Sequence, residues 1–191
     1  IKGLGHVPDP LKVVLVQMVS LSKKGKQVKM GKRLGTAIWL SDVVTEVGSD
    51  AIRYIFASKR CDAQLDFDVD LYTKKSNDNP VFYAQMGHAR LASIMRKALD
   101  AGYEVPEYKK GMLKPLVLPE ELDLIKKLLD APEVVVNAAR LDEPHLIVHY
   151  IQDTIQLFHR YYTKYKDAEK VISDDADKTK ARLLLCKAVM V

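Results

Sequence analysis

The pattern of apolar and polar positions changes near residue 76. Before that point, apolar residues form short β-branched runs, and residues 13–21, VVLVQMVSL, predict a buried strand. The turn sequence SKKGKQ follows, and residues 27–30, QVKM, are expected to return as a second strand of a hairpin. After residue 76, apolar residues recur at steps of three and four, which indicates amphipathic helices.

The first part also contains two predicted helices. Ser41 suits the N-cap of a helix with the sequence DVVTEV, and Asp42 falls in its first turn. Gly48 is predicted to be the left-handed residue that ends this helix, and Ser49 to cap the next one, DAIRYIFAS. Residues 60–75 carry four aspartates but lack the glycine and glutamate of a calcium loop, so we expect a half-exposed connector.

Prolines at probable first turns mark the helices of the second part. Helices are predicted from Pro80 to about Gly102, from Pro119 to before Pro132, over about residues 133–141, from Pro144, and at the end of the chain. The helix after Pro144 has one continuous apolar face, formed by Ile147, Ile151, Ile155, Phe158, Tyr162 and Tyr165. The predicted fold is therefore mostly α, with an α/β part at 1–75 and a helical bundle at 76–191.

Charge, cysteine content and hydropathy limit the kinds of partner and compartment that fit this chain. The 191 residues carry 30 basic and 25 acidic side chains, and this net charge of +5 favours an anionic partner. Cys61 and Cys186 match no metal spacing, and we interpret both as buried packing thiols in a reducing, cytoplasmic compartment. No apolar run is long enough to span a membrane, so no membrane partner is expected. Both ends of the sequence resemble cuts through a larger protein.

The most basic stretch lies beside the predicted hairpin. Six of the eleven residues from Lys23 to Arg33 are basic and none is acidic, and Gly25 and Gly31 flank the centre. The glycine spacing and Arg33 do not fit a P-loop. Two interpretations remain open from the residues alone. The stretch is either a solvated charged hairpin, or a flexible loop whose lysines close over a triphosphate.

Residues 29–33, KMGKR, resemble the K-M-S-K signature loop of class I aminoacyl-tRNA synthetases. Residues 15–56 resemble the segment that ends the catalytic domain of arginyl-tRNA synthetases, with Asp50-Ala51-Ile52-Arg53 at the D-A-x-R element. Residues 76–90, SNDNPVFYAQMGHAR, are similar to the start of the anticodon-binding bundle of that family. The resemblance covers essentially the whole chain, and the last of these stretches is its most specific part.

The resemblance implies an ATP-binding loop at residues 29–33. Lys29 and Lys32 occupy the positions of the two signature lysines and are the expected catalytic residues. Lys32 is expected to stabilise the pyrophosphate that leaves ATP during amino-acid activation. Met30 would anchor the loop, Gly31 stands where the family usually has serine, and Arg33 is either a further phosphate contact or solvated. ATP, with Mg²⁺, would be a substrate of the full-length enzyme.

The resemblance also implies a tRNA-binding face. Asn79, Tyr83, Met86 and Arg90 match the family positions that hold the anticodon loop, and their spacing places them on one helix face. Tyrosine can stack on an unpaired base, methionine can pack on a base, and arginine can bind phosphate. Periodicity alone also permits a second interpretation, in which the tyrosine and methionine belong to the helical core.

The expected function is that of the C-terminal portion of an arginine–tRNA ligase. Its partners would be tRNA(Arg) and, in the full-length enzyme, ATP and arginine, with no DNA partner. The H-I-G-H signature is absent, so we expect this chain alone not to activate arginine. His145 and His149 are four residues apart, but no third ligand lies at a recognised spacing, and we expect no metal site. The alternative is a stand-alone helical module that binds RNA or protein without catalysis.

Overall fold

The computed structural model describes residues 13–28 and 38–191 of the chain. The chain divides into two compact units, Ile1–Asp70 and Leu71–Val191. The first combines short strands with helices, and the second is helical. The fold class predicted from the sequence, mostly α with a small α/β part, is therefore confirmed. None of the described helices combines the length and apolar character needed to cross a bilayer.

A small sheet organises the first unit. Strand β1, Val19–Lys23, lies between β2, Lys26–Gln27, and β3, Leu65–Asp68. The β1–β2 pair forms the predicted hairpin and turns through Lys24 and Gly25. The second strand covers Lys26–Gln27 instead of the predicted residues 27–30, of which residues 29 and 30 lie outside the described part of the chain. Both turn residues have positive φ, 55° and 67°, which is the geometry of the type I′ turn that matches strand twist.

Two predictions about this unit are wrong. Residues 13–18 are exposed and belong to no strand, so the predicted strand 13–21 begins only at Val19. The expected connector 60–75 contains β3, which runs parallel to β1 with Val19 opposite Leu65, and the short helix α3, Val69–Thr73. A strand forms only where a neighbouring strand is available, and the pairing of two segments so distant in sequence leaves no local pattern.

Helices α1, Leu40–Val47, and α2, Ser49–Ala57, form as predicted, but their starts differ. Trp39 and Gly48 occupy the N-cap positions, so Ser41 and Ser49 lie inside the helices. Gly48 has φ +93°, so the positive φ that favours glycine is present as predicted, but its ψ of 146° lies outside the left-handed helical region. The carboxylate of Asp42 accepts a hydrogen bond from the backbone N–H of Trp39 at 3.4 Å, which satisfies one donor at the helix start.

The second unit contains five long helices. They are α4 (Pro80–Asp100), α5 (Pro119–Leu129), α6 (Ala131–Leu141), α7 (His145–Tyr165) and α8 (Ala176–Met190). Their shared core includes Leu91, Leu124, Phe158, Ala181 and Leu183. Every predicted helix of this part is present. A proline lies at or beside the start of α4, α5, α6 and α7, whereas α8 is capped by Asp175, whose carboxylate accepts from the backbone N–H groups of Asp177 and Lys178.

The buried face of α7 differs from the predicted stripe. Ile155 and Phe158 are buried, but Ile147 and Ile151 are 36% and 37% exposed. The helix instead buries Val148, Thr154, His159 and Tyr161 as well. The predicted steps of three and four were correct, but they followed one edge of the buried face. The centre of the buried face includes the polar residues Thr154 and His159, which an apolar pattern does not mark as buried.

The two cysteines have different environments. Cys186 on α8 is buried in the core, and burial raises the pKa of its thiol to about 12. The expectation of a buried packing thiol is therefore confirmed for Cys186. Cys61 is only half-buried, so the same expectation is wrong for this residue. Its backbone carbonyl accepts a hydrogen bond from the N–H of Gln17 at 2.7 Å.

Candidate nucleic-acid interface

Asn79 fixes the start of α4. Its side-chain oxygen accepts from the backbone N–H groups of Val81 and Phe82 at 3.1 and 3.4 Å. Its amide nitrogen donates to the carbonyl oxygens of Tyr72 and Lys74, both at 2.9 Å. Asn79 is 3% exposed, and its one acceptor oxygen and two N–H donors are all engaged. It therefore anchors the helix start and lies below the surface.

Tyr83, Met86 and Arg90 share an open groove of about 600 Å³. They are the other three residues that the family resemblance placed on RNA, and none of them is buried. The groove lies between α4 and α7, and its remaining lining comprises Asn77, Gln156, His159, Arg160, Thr163 and Lys164. The structure thus brings three of the four predicted residues to one surface and places Asn79 beneath it.

His159 forms the buried floor of this groove. It is 6% exposed, and its ring lies 4.4 Å from the ring of Tyr83, centroid to centroid, at an angle of 54°. Its Nδ1 lies 2.7 Å from Nη1 of Arg90, and its Nε2 lies 3.4 Å from the carbonyl oxygen of Tyr83. No pattern in the sequence marks His159 as the floor of a groove. Its central position depends on how α4 and α7 pack.

Arg90 is held from two directions. Its Nη1 contacts His159, and its guanidinium carbon lies 5.5 Å from the centre of the Tyr162 ring, a distance typical of a cation–π contact. Arg90 is half-buried, and among the described residues no carboxylate forms an ion pair with it. The groove therefore retains a fixed positive charge.

The two other cations of the groove differ in their pairing. Lys164 donates to Glu120 at 2.6 Å, and the hydroxyl of Tyr165 donates to the same carboxylate at 2.7 Å. These two hydrogen bonds lower the pKa of Glu120 from 4.5 to about 2. The charge of Lys164 is thus balanced, whereas Arg160 is exposed and lacks an ion pair among the described residues. Arg90 and Arg160 supply the net positive charge of the groove.

Gly87 permits the close approach of α4 and α7 below the groove. A Cβ atom built on Gly87 would lie 2.8 Å from both Cγ2 and Cδ1 of Ile155 and 3.4 Å from Nε2 of His159. A side chain at this position would have to displace Ile155 or separate the helices. Glycine therefore allows His159 to lie against α4 and to reach both Tyr83 and Arg90.

Tyr83 is accessible from a second side as well. A smaller pocket of about 330 Å³ shares Asn77, Tyr83 and Gln156 with the groove. Its other lining residues are Asp78, Pro80, Gln152 and Asp153. This side carries acidic groups, although Asp153 pairs with Lys127 at 2.8 Å. The Tyr83 ring therefore separates a basic groove from a more acidic pocket, and a polyanion would enter from the basic side.

The predicted ATP-binding loop, Lys29, Met30, Gly31, Lys32 and Arg33, lies outside the described residues. Its roles therefore remain predictions. Of the basic residues just before it, Lys23 pairs with Glu46 at 2.6 Å. The backbone N–H of Lys24 donates to the carboxylate of Asp70. Part of the charge in this stretch is thus balanced within the first unit.

The two histidines considered as metal ligands lie near the start of α7. The ring centroids of His145 and His149 are 5.3 Å apart, in an edge-on arrangement. Nε2 of His145 is 4.0 Å from a carboxylate oxygen of Glu143. Within the described part of the chain, no cluster of three or more histidine, cysteine, aspartate or glutamate side chains has metal-binding geometry.

Known proteins similar to this chain are arginine–tRNA ligases. The enzyme of Anaeromyxobacter dehalogenans (strain 2CP-C) is 51% identical over 98% of this chain and 32% of its own length. Arginine–tRNA ligase 1 of Halalkalibacterium halodurans is 44% identical over 100% of this chain and 34% of its own length. The chain thus spans about a third of the length of these relatives.

Solved structures agree with this similarity. A crystal structure from Campylobacter jejuni, described as an arginyl-tRNA synthetase, has a TM-score of 0.77 and 32% identity, and the match covers 99% of this chain and 40% of that one. The Thermus thermophilus arginyl-tRNA synthetase, at 23% identity and a TM-score of 0.69, matches in fold over 89% of this chain and 31% of its own. The family resemblance inferred from the sequence is therefore confirmed.

The helical unit has a family match of its own. Residues 84–191 match the DALR anticodon binding domain, and this segment includes α7 and most of α4, the two helices that line the groove. Because the match spans more than half of its residues, this chain belongs to the DALR anticodon binding domain family.

Proposed function

We propose that this chain is part of an arginine–tRNA ligase, in which it supplies the signature loop and the anticodon-binding module. The whole enzyme would activate arginine with ATP and transfer it to tRNA(Arg). The proposal is supported by similarity over nearly the whole chain to enzymes about three times as long. A catalytic part at 1–75 and an anticodon-binding part at 76–191 remain our proposed domains.

The groove on α4 and α7 is the observation that carries this proposal. Tyr83, Met86 and Arg90 were assigned to RNA from the sequence, and they line one open groove rather than the core. Arg160, on the facing helix, lines the same groove. An aromatic ring beside fixed positive charge is the combination that binds single-stranded RNA. An anticodon loop, with unpaired bases and a phosphate backbone, fits this surface.

Each side chain has a distinct proposed role. Tyr83 stacks on one unpaired base and Met86 packs against a base face. Arg90 and Arg160 contact phosphates of the same loop. For Asn79 we propose a different role from direct contact with RNA, because its amide is fully engaged in the turn before α4. Asn79 would orient the first turn of α4, and hence the ring of Tyr83.

The signature loop would serve the chemical step of the whole enzyme. Lys29 and Lys32 would neutralise the phosphates of ATP, and Lys32 would stabilise the pyrophosphate as it leaves. Mg²⁺ would accompany ATP as a counter-ion of its phosphates. A cytoplasmic location follows from this role, since the charged tRNA is used by the ribosome. The alternative of a stand-alone module is not favoured, because the similarity includes the segment before the helical unit.

A binding experiment tests the proposal. The chain is titrated against a fluorescent RNA hairpin that carries the anticodon loop of tRNA(Arg), and against the same hairpin with its anticodon bases replaced. We expect tighter binding to the first hairpin, with affinity falling as salt rises because phosphate contacts release counterions. Equal affinity for the two hairpins, or no binding to either, would contradict the proposal.

A further inference from the structure

The contacts of His159 define its protonation state. Arginine is a donor without an acceptor atom, so the 2.7 Å contact from Nη1 of Arg90 requires an unprotonated Nδ1 on His159. The proton of the neutral ring then resides on Nε2, which faces the carbonyl oxygen of Tyr83 at 3.4 Å. One buried ring thus connects two of the proposed RNA-binding residues in a defined orientation.

This arrangement leaves part of the Arg90 guanidinium available. Nη1 is engaged by His159, and the plane lies near the Tyr162 ring. Within the described residues, the Nε and Nη2 donors of Arg90 have no hydrogen-bond partner. Side-chain entropy is lost when an arginine is ordered, so an arginine that is already held binds a phosphate at a smaller entropic cost.

We propose that His159 is a positioning residue for RNA binding: its Nδ1 holds Arg90 so that the remaining donors of Arg90 meet a phosphate of the bound loop. The inference rests on the proposed function and adds to it a residue that does not itself contact RNA. Gly87 contributes to the same device, because only a residue without Cβ leaves room for Ile155 and the His159 ring.

The surroundings of His159 favour the neutral ring. Burial lowers its pKa below the ordinary value of 6.5; the backbone hydrogen bond to Tyr83 opposes this change, and the charge of Arg90 adds to it. The titratable and charged groups around it are Tyr83 and Arg90 on α4, and Arg160, Tyr162 and Lys164 on α7. With no carboxylate among them, the acceptor at Nδ1 persists at neutral pH.

Two substitutions of His159 distinguish the effect of its hydrogen-bond acceptor from the effect of its ring shape. His159→Phe retains an aromatic ring against Tyr83 but removes the acceptor. His159→Asn shortens the side chain but places an oxygen near the position of Nδ1. Both are compared with the wild type in binding to the anticodon hairpin, alone and combined with Arg90→Ala. His88→Phe is the matched control, since His88 is an exposed histidine of α4 that lines a different pocket.

We expect His159→Phe to weaken hairpin binding about tenfold, which corresponds to ~1.4 kcal/mol. His159→Asn should recover part of this loss, and His88→Phe should have no effect. In the Arg90→Ala background His159→Phe should cause no further loss, because residues that act as a unit are not additive. Unchanged binding by His159→Phe, or losses that add to those of Arg90→Ala, would overturn the inference.

The outcomes distinguish the inference from the proposed function. If the wild type does not prefer the anticodon hairpin, the proposed function fails and the inference falls with it. If the wild type prefers the anticodon hairpin but the losses caused by His159→Phe and Arg90→Ala are additive, only the inference fails. Should His159→Phe not fold, nitrogen-15 NMR of the wild-type imidazole decides the point. We expect the tautomer protonated at Nε2, and a proton on Nδ1 at neutral pH would contradict the inference.

Discussion

The guanidinium of Arg182 and the carboxylate of Glu121 form an ion pair inside the helical unit, with Nε and Oε1 2.7 Å apart. Their side chains are 1% and 0% exposed. Arg182 also donates to Glu169 and to the carbonyl oxygen of Lys170, both at 2.8 Å, and Glu121 accepts from the backbone N–H of Leu118 at 3.0 Å. One arginine thus joins α8, the start of α5 and the segment that follows α7.

Removal of Arg182 tests the energetic importance of this pair. Arg182→Met leaves the carboxylate of Glu121 buried without its partner, and we expect a loss of about 3–5 kcal/mol in the free energy of unfolding. Urea denaturation followed by circular dichroism measures this quantity. Lys126→Ala is the control, because Lys126 is 77% exposed and pairs with Asp123 at 3.8 Å. Comparable losses in the two variants would contradict a dominant role for the buried pair.

The sequence predicted the helices well but missed this ion pair. Helix starts at Pro80 and Pro119 follow from local chemistry, since proline and apolar periodicity act within one helix. Glu121 and Arg182 are 61 positions apart, and nothing in the local sequence around either residue indicates that the other is its partner. Their burial follows from how α5 and α8 pack, which the sequence pattern does not contain.

A similar limit applied to the groove. Tyr83, Met86 and Arg90 were predicted from their common helix face and from family resemblance, and the structure places all three on the groove. Asn79 shares that spacing, but its position before the helix turns its amide inward as a cap. The position of His159 could not be predicted, because it depends on which helix packs opposite α4.

Gly87 should be sensitive to the smallest side chain. Alanine normally stabilises a helix relative to glycine by about 1 kcal/mol. At this position, however, the added Cβ would lie 2.8 Å from two atoms of Ile155, and overpacking of this kind costs about 1–3 kcal/mol. We therefore expect Gly87→Ala to lower the urea midpoint and to weaken binding of the anticodon hairpin, since His159 moves with α7.

The clash is tested by introducing Gly87→Ala into a protein that already lacks the Ile155 side chain. In an Ile155→Ala protein both crowded atoms are absent, so adding Gly87→Ala should leave the urea midpoint unchanged or raise it. The comparison is made between Ile155→Ala and the double variant, so the cost of removing Ile155 cancels. If Gly87→Ala destabilises both backgrounds equally, contact with Ile155 is not the cause.

Glu120 should make stability depend on pH in the acid range. Its folded pKa is lowered from 4.5 to about 2 by hydrogen bonds from Lys164 and Tyr165. Because the unfolded chain binds this proton more readily, the stabilising effect is complete above pH 4.5 and is lost as the pH falls from 4.5 towards 2. Other carboxylates titrate in the same range, so the difference from Glu120→Gln isolates this one.

Urea midpoints of the wild type and Glu120→Gln measure this effect at pH 7, 4.5 and 3. We expect the wild type to be the more stable at pH 7 and the two proteins to converge as the pH falls. A constant difference across this range would show that Glu120 does not titrate in the way its contacts indicate.

Tyr83→Ala should weaken binding of the anticodon hairpin by about 1–3 kcal/mol, the effect of losing one base stack. Tyr83→Phe should bind nearly as well as the wild type, because stacking requires the ring and not the hydroxyl. Fluorescence anisotropy at fixed salt measures both. Tyr108→Ala is the control, since Tyr108 is 64% exposed in the loop before α5 and does not line the groove. Unchanged affinity for Tyr83→Ala would remove this residue from the interface.

Lys32 is predicted to act in the chemical step rather than in tRNA binding. In the full-length enzyme, Lys32→Ala should slow arginine-dependent pyrophosphate exchange by about 10²-fold or more, the effect of removing one group that stabilises developing charge. Its affinity for tRNA(Arg) should change little, because in the proposed function the helical unit holds the anticodon. Lys26→Ala, in β2 of the same basic stretch, is the control for loss of charge alone. A group that contacts only the departing pyrophosphate does not contribute to the affinity for tRNA. Equal losses in pyrophosphate exchange and in tRNA affinity would therefore show that Lys32 is a general electrostatic contact.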